Sequence, residues 1–138
     1  MRFSILAKVT LAFIITAALT APLWAHHSFA AEYDNKQPVK LTGAVTKVEW
    51  MNPHVYFYID VKDEQTGKVT NWAWEMGAPA VIQRSGWTRN SMKIGDLVTV
   101  EGSRAKTGLP HGNARSVTLT ATGKKLGAGS SEGQYPEQ

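Results

Sequence analysis

Cysteine is absent from the 138 residues. That excludes a disulfide framework, a thiolate metal site and a cysteine nucleophile. Charge of one sign is scarce as well. The formal excess is +4, and Arg2 and Lys8 contribute to it from a segment read below as a removable leader. Without them the excess is +2, with the two signs interspersed. Such a balance carries no nucleic-acid footprint, so the expectation is no nucleic-acid partner. No Gly-Lys-[Ser/Thr] ending follows Gly102 or Gly108, so there is no phosphate loop. Ser28, Ser85, Ser91, Ser103 and Ser116 lack a nucleophile-elbow context. Glu49, Asp60, Glu75 and Glu101 fall on separate segments and form no legible acid–base pair. The expectation is therefore a chain without enzymatic activity.

What is present begins with an address. Arg2 and Lys8 precede an apolar run from Val9 to Leu19, interrupted only by Thr10 and Thr16. The run is shorter than the ~20 residues that span a bilayer. A basic start, a short apolar stretch and a small residue at Ala25 read as a secretory signal. Residues 1–25 are expected to be cleaved, which implies a periplasmic or secreted protein with no membrane span. The mature chain would then begin His26-His27-Ser28-Phe29, with residues 26–38 as an N-terminal arm.

The body, residues 39–122, reads as short strands. Leu41, Gly43 and Val45 alternate in one phase, and Val48 and Trp50 continue in the other, which predicts a bulge or sharp bend. Asn52-Pro53 ends that strand. Val55, Phe57, Ile59 and Val61 alternate with polar residues, and so do Thr70, Trp72, Trp74 and Met76. A hairpin pairing Ile59 with Trp72 and Phe57 with Trp74 puts both apolar sets on one face. A helix over Pro79–Ser85 follows from Pro at its start and Gly86 past its end. Leu97–Arg104 and Arg115–Ala121 are the fourth and fifth strands, with Lys106–Asn113 as a loop. Residues 123–138 are low in apolar periodicity and are expected to be a disordered tail. The fold expected is all-β with one short helix, a five-stranded oligonucleotide/oligosaccharide-binding (OB)-like barrel, with an open β-sandwich as the alternative.

Several runs resemble a family of small exported bacterial proteins of unknown function. They are His26-His27-Ser28-Phe29, Tyr33-Asp34, Gly43-x-Val45-x-x-Val48-x-Trp50-x-Asn52-Pro53-His54, Trp72-x-Trp74-Glu75-Met76, Gly86-Trp87 and Lys93-x-Gly95-Asp96. The resemblance extends from His26 to about Lys125. It implies export and a single compact β domain, and it implies no activity.

Two sets of residues could carry chemistry. Cleavage after Ala25 would give His26 a free amine beside its imidazole, a chelate suited to Cu(II). His27 supplies a second imidazole. His54 and His111 lie in loops that flank the ligand face of an OB barrel. The residues from His26 to Val39 reach about 40 Å when extended, enough to bring the terminus to that end. The second set, Tyr56, Tyr58, Asn71 and Glu75, shares the outer face of the hairpin and could hold a planar or sugar-like ligand. The expectation is thus a binding module of the cell envelope that engages copper or another divalent metal through its terminus. Its alternatives are a structural domain that docks an envelope protein, and a copper-dependent oxidase.

Overall fold

A computed structural model describes residues 29–132. The proposed leader, His26 and His27 lie outside them. A short helix α1 (Phe29–Glu32) leads into β1 (Tyr33–Glu49). Then follow β2 (Tyr56–Lys62), β3 (Val69–Glu75), α2 (Pro79–Arg84), β4 (Leu97–Ala105), β5 (His111–Leu119) and β6 (Lys124–Gly127). The chain is mostly β. Its strands form one sheet in the order β3-β2-β1-β4-β5-β6, each antiparallel to its neighbour. In addition β3 pairs with β5 in parallel, with Ala73 opposite His111 and Glu75 opposite Asn113. Among the described residues no helix is long and apolar enough to cross a membrane.

The hairpin register is the one that alternation dictates. Phe57 faces Trp74 and Ile59 faces Trp72 across β2 and β3. All four are buried, with Val45, Val98, Val100, Val117 and Ile82 around them. Trp74 sits at the centre, 0% exposed. Its ring needs bare backbone on the strands it covers. A Cβ at Gly112 would lie 2.5 Å from its Cζ3, and one at Gly102 would lie 2.9 Å from it. The phase flip in β1 is a bulge, where the register against β2 shifts between Val45 and Lys47. Gly43 fits there because any side chain would collide with the Asp60 carbonyl. Helix α2 has Pro79 in its first turn, and Gly86 follows it with φ +92°.

Three boundaries differ from expectation. The arm is not separate: Tyr33 pairs with Ala105 as the start of β1, and the register against β4 slips between Asp34 and Pro38. Asp, Asn, Lys, Gln and Pro disfavour strands, so pairing across the sheet overrides local propensity here. The expected loop up to Asn113 is instead the start of β5, held by the parallel pairing and by the room Trp74 needs. The expected disordered tail contains a sixth strand, β6, paired with β5 from Ser116 to Leu119. Only Leu126 and Ala128 are buried there, so backbone hydrogen bonds rather than an apolar pattern define it.

Candidate functional site

Glu75 ends β3, and its neighbours in register are Tyr56 on β2 and Asn113 on β5. Alternation places Tyr56 and Glu75 on the face away from Phe57 and Trp74. That face would meet solvent, yet Glu75 is only 8% exposed. Tyr33, the first residue of β1, reaches over it. Phe29 and Tyr33 pack with Ala105 as a small second cluster, their rings 5.4 Å apart.

The Tyr33 hydroxyl donates to Glu75 Oε2 at 2.8 Å, and the Tyr56 hydroxyl donates to the same oxygen at 2.8 Å. Asn113 Nδ2 donates to Oε1 at 3.4 Å, and His54 Nδ1 lies 3.7 Å from Oε1. Both tyrosines are pushed well above the usual phenol range. Burial is the main cause for each, and the Glu75 charge and hydrogen bond add to it. An ionised phenol beside a buried carboxylate would place two like charges where water cannot screen them.

The hydrogen bonds also settle where the imidazole protons sit. A carbonyl can only accept, so His54 Nδ1 carries a proton and donates it to the Met76 carbonyl at 3.1 Å. The single Tyr33 proton is committed to Glu75. Toward His111 the hydroxyl therefore accepts, and His111 Nε2, 3.1 Å away, carries the proton. The Tyr33 and His111 rings meet edge to face at 5.5 Å. The second ring nitrogen of each is Nε2 of His54 and Nδ1 of His111. Neither makes a hydrogen bond among the described residues. A histidine held by its N–H while the other nitrogen stays bare is the arrangement metal ligands adopt.

Of the residues singled out from sequence, Tyr56 and His54 therefore lie against the Glu75 carboxylate, and His111 is linked to it through Tyr33. Tyr58 and Asn71 do not join them. Tyr58 donates to Glu49 Oε2 at 2.9 Å, and Glu49 pairs with Lys47. Asn71 donates to Asp60 at 2.8 Å and to Thr46 at 3.1 Å. The platform divides because residues two apart on a strand are separated by a full repeat, and each finds its own neighbour. His111 is in β5 rather than in a loop. His26 and His27 lie outside the described residues. Among the described residues no three His, Asp or Glu side chains form a group that could hold a metal ion. Tyr33 and Asn113 had no role in the sequence reading. Tyr33 belonged to a family motif, but nothing in its neighbours in sequence signals a reach across the sheet to Glu75.

The profile of a family of unknown function (DUF6152) matches residues 14–115. The chain belongs to that family. No curated protein matches it. One solved structure similar to it is that of the mitochondrial single-stranded DNA binding protein Rim1 from S. cerevisiae. The TM-score is 0.48 at 14% identity, covering 60% of this chain and 92% of that one. The expectation of no nucleic-acid partner is not upheld, since this neighbour is by its name a single-stranded DNA binding protein. Charge arithmetic is a poor ground for that exclusion, because bases stack on aromatic faces whatever the net charge of the domain.

Proposed function

We propose that this protein is an exported, non-enzymatic binding module of the cell envelope that holds a divalent metal, copper first among them. The sheet pairings support an OB-like barrel as its frame. They run from β1 through β2, β3, β5 and β4 back to β1, with α2 lying between β3 and β4 in sequence. The composition of residues 1–25 supports export. The observation that carries the metal reading is the state of the two histidines. Buried partners hold the Nδ1–H of His54 and the Nε2–H of His111, and the other nitrogen of each makes no hydrogen bond among the described residues. Glu75 is committed to four neighbours and acts as the anchor of this arrangement rather than as a ligand. In a chain processed after Ala25, the amine and imidazole of His26 complete the donor set, with the His27 imidazole beside them. Nitrogen donors of this kind favour Cu(II) over other divalent first-row ions.

The test is calorimetric titration of Cu(II) into the mature chain that begins at His26. Two controls accompany it, one with an alanine added before His26 and one carrying His54→Ala. One-to-one binding that weakens at least tenfold in both controls is the expected result. Equal affinity in all three chains, or no binding by the mature chain, overturns the reading.

A further inference from the structure

Residues 127–132 cross the same end of the molecule as a strap. The Trp87 indole N–H donates to the Gly127 carbonyl at 2.8 Å. Ala128 N–H donates to Arg115 O at 2.9 Å, and Ala128 is fully buried. Gly77 and Gly129 are in backbone contact: a Cβ on Gly77 would lie 2.7 Å from the Gly129 carbonyl oxygen. Glu132 closes the strap with a two-pronged ion pair to Arg115, at 2.9 and 2.7 Å.

Two of its contacts end on groups that orient the site. Ser130 Oγ donates to Asn113 Oδ1 at 2.6 Å. The Glu75 carboxylate accepts from Nδ2, and Ser130 holds the opposite, Oδ1 end of the same amide, so the two contacts together anchor the Asn113 side chain. Gly77 N–H donates to the Ala128 carbonyl at 2.8 Å. Gly77 N–H and the Met76 carbonyl belong to one planar trans peptide and point in opposite directions. Anchoring the N–H to the strap therefore aims the carbonyl at His54 Nδ1, which it meets at 3.1 Å.

We infer that the strap is a positioning clamp for the Glu75 site. Ser130 acts through Asn113, and the Ala128 carbonyl acts through the Met76–Gly77 peptide. The metal arm of this inference rests on the function proposed above; the clamp itself concerns the metal-free protein.

The experiment compares the full mature chain with Ser130→Ala, Ser130→Thr and Gly129→Ala. A Cβ on Gly129 would lie 3.0 Å from Ile82 Cγ2 at a backbone φ of +65°, so that variant lifts the strap off α2. The first readout is the long-range proton–nitrogen spectrum of the imidazoles and the Asn113 side-chain amide, without metal. In the parent chain His54 is expected as a single tautomer protonated at Nδ1. Gly129→Ala is expected to give a mixture of tautomers at His54. Ser130→Ala is expected to shift the Asn113 amide signals, and Ser130→Thr to restore them. The second readout is Cu(II) affinity, expected to fall about tenfold in Ser130→Ala and Gly129→Ala and to recover in Ser130→Thr. Parent-like spectra in both Ser130→Ala and Gly129→Ala overturn the clamp. A parent chain that fails to bind copper overturns the proposed function instead, and the metal-free spectra still decide the clamp.

Discussion

Two tyrosines one repeat apart on β2 make nearly the same hydrogen bond in opposite surroundings. Tyr56 donates to Glu75 at 2.8 Å and Tyr58 donates to Glu49 at 2.9 Å. Around Tyr56 the face is roofed by Tyr33, whose hydroxyl shares its acceptor oxygen on Glu75, and burial is the leading cause of its raised pKa. Tyr58 lies on the open part of the face, where the hydrogen bond to Glu49 leads and burial comes second. Lys47 pairs with Glu49 and lies 5.2 Å above the Tyr58 ring, so that group is a charged surface network. Partner chemistry is therefore not what makes one carboxylate a candidate site. The roof is, because it removes the water that would otherwise satisfy and screen the same groups.

Removing each carboxylate should separate the two regions most strongly. Glu75→Ala leaves the Tyr33 and Tyr56 hydroxyls and the Asn113 amide without their acceptor. It should cost about 3 kcal/mol in urea unfolding. Glu49→Ala should leave the unfolding midpoint nearly unchanged, since exposed ion pairs contribute little. Equal losses would erase the distinction between roofed and open ends.

A smaller effect is expected from the roof itself. Tyr33→Phe keeps the ring and its contact with Phe29 but removes the bonds to Glu75 and His111. A loss of about 2 kcal/mol is expected in thermal or urea unfolding, and Tyr58→Phe should change little. A Tyr33→Phe protein as stable as its parent would mean that the hydroxyl does not hold the site together.

The smallest effect is a matter of pH. Tyrosinate absorbance should show Tyr58 ionising before Tyr33 and Tyr56, assigned with single Phe variants. The sign of the stability change follows from the direction of the shifts. Below the unfolded phenol value of about 10, both states keep their protons and the full contribution is present. Above it the unfolded chain loses its protons first, so stability falls as pH rises. Tyr56 ionising together with Tyr58 would show that the roof does not exclude water.

Much of the frame is legible in the sequence. Alternation at Phe57, Ile59, Trp72 and Trp74 placed the hairpin and its register, because burying one face leaves a single phase. Pro79 and Gly86 bounded α2 for steric reasons that act within a few residues. His54 and His111 were visible as loop histidines, and Tyr56 and Glu75 as polar residues on the outer face of the hairpin. Their common centre was not. Tyr33 stands 42 residues from Glu75 and Asn113 stands 38 residues from it, and both reach it through pairings that no local pattern encodes. The β6 strand was illegible for a related reason, since Lys124–Gly127 buries almost nothing and is held by backbone bonds to β5.

By itself the sequence determined which residues face inward and where the helix starts and stops. Those properties follow from periodicity and from the local sterics of proline and glycine. Only the tertiary structure decided that one carboxylate is roofed and another open, and which nitrogen of each histidine keeps its proton. It also decided that a glycine-containing tail becomes a strap. Burial and hydrogen-bond direction depend on what lies across the sheet, and that is set by pairings between segments far apart in the chain.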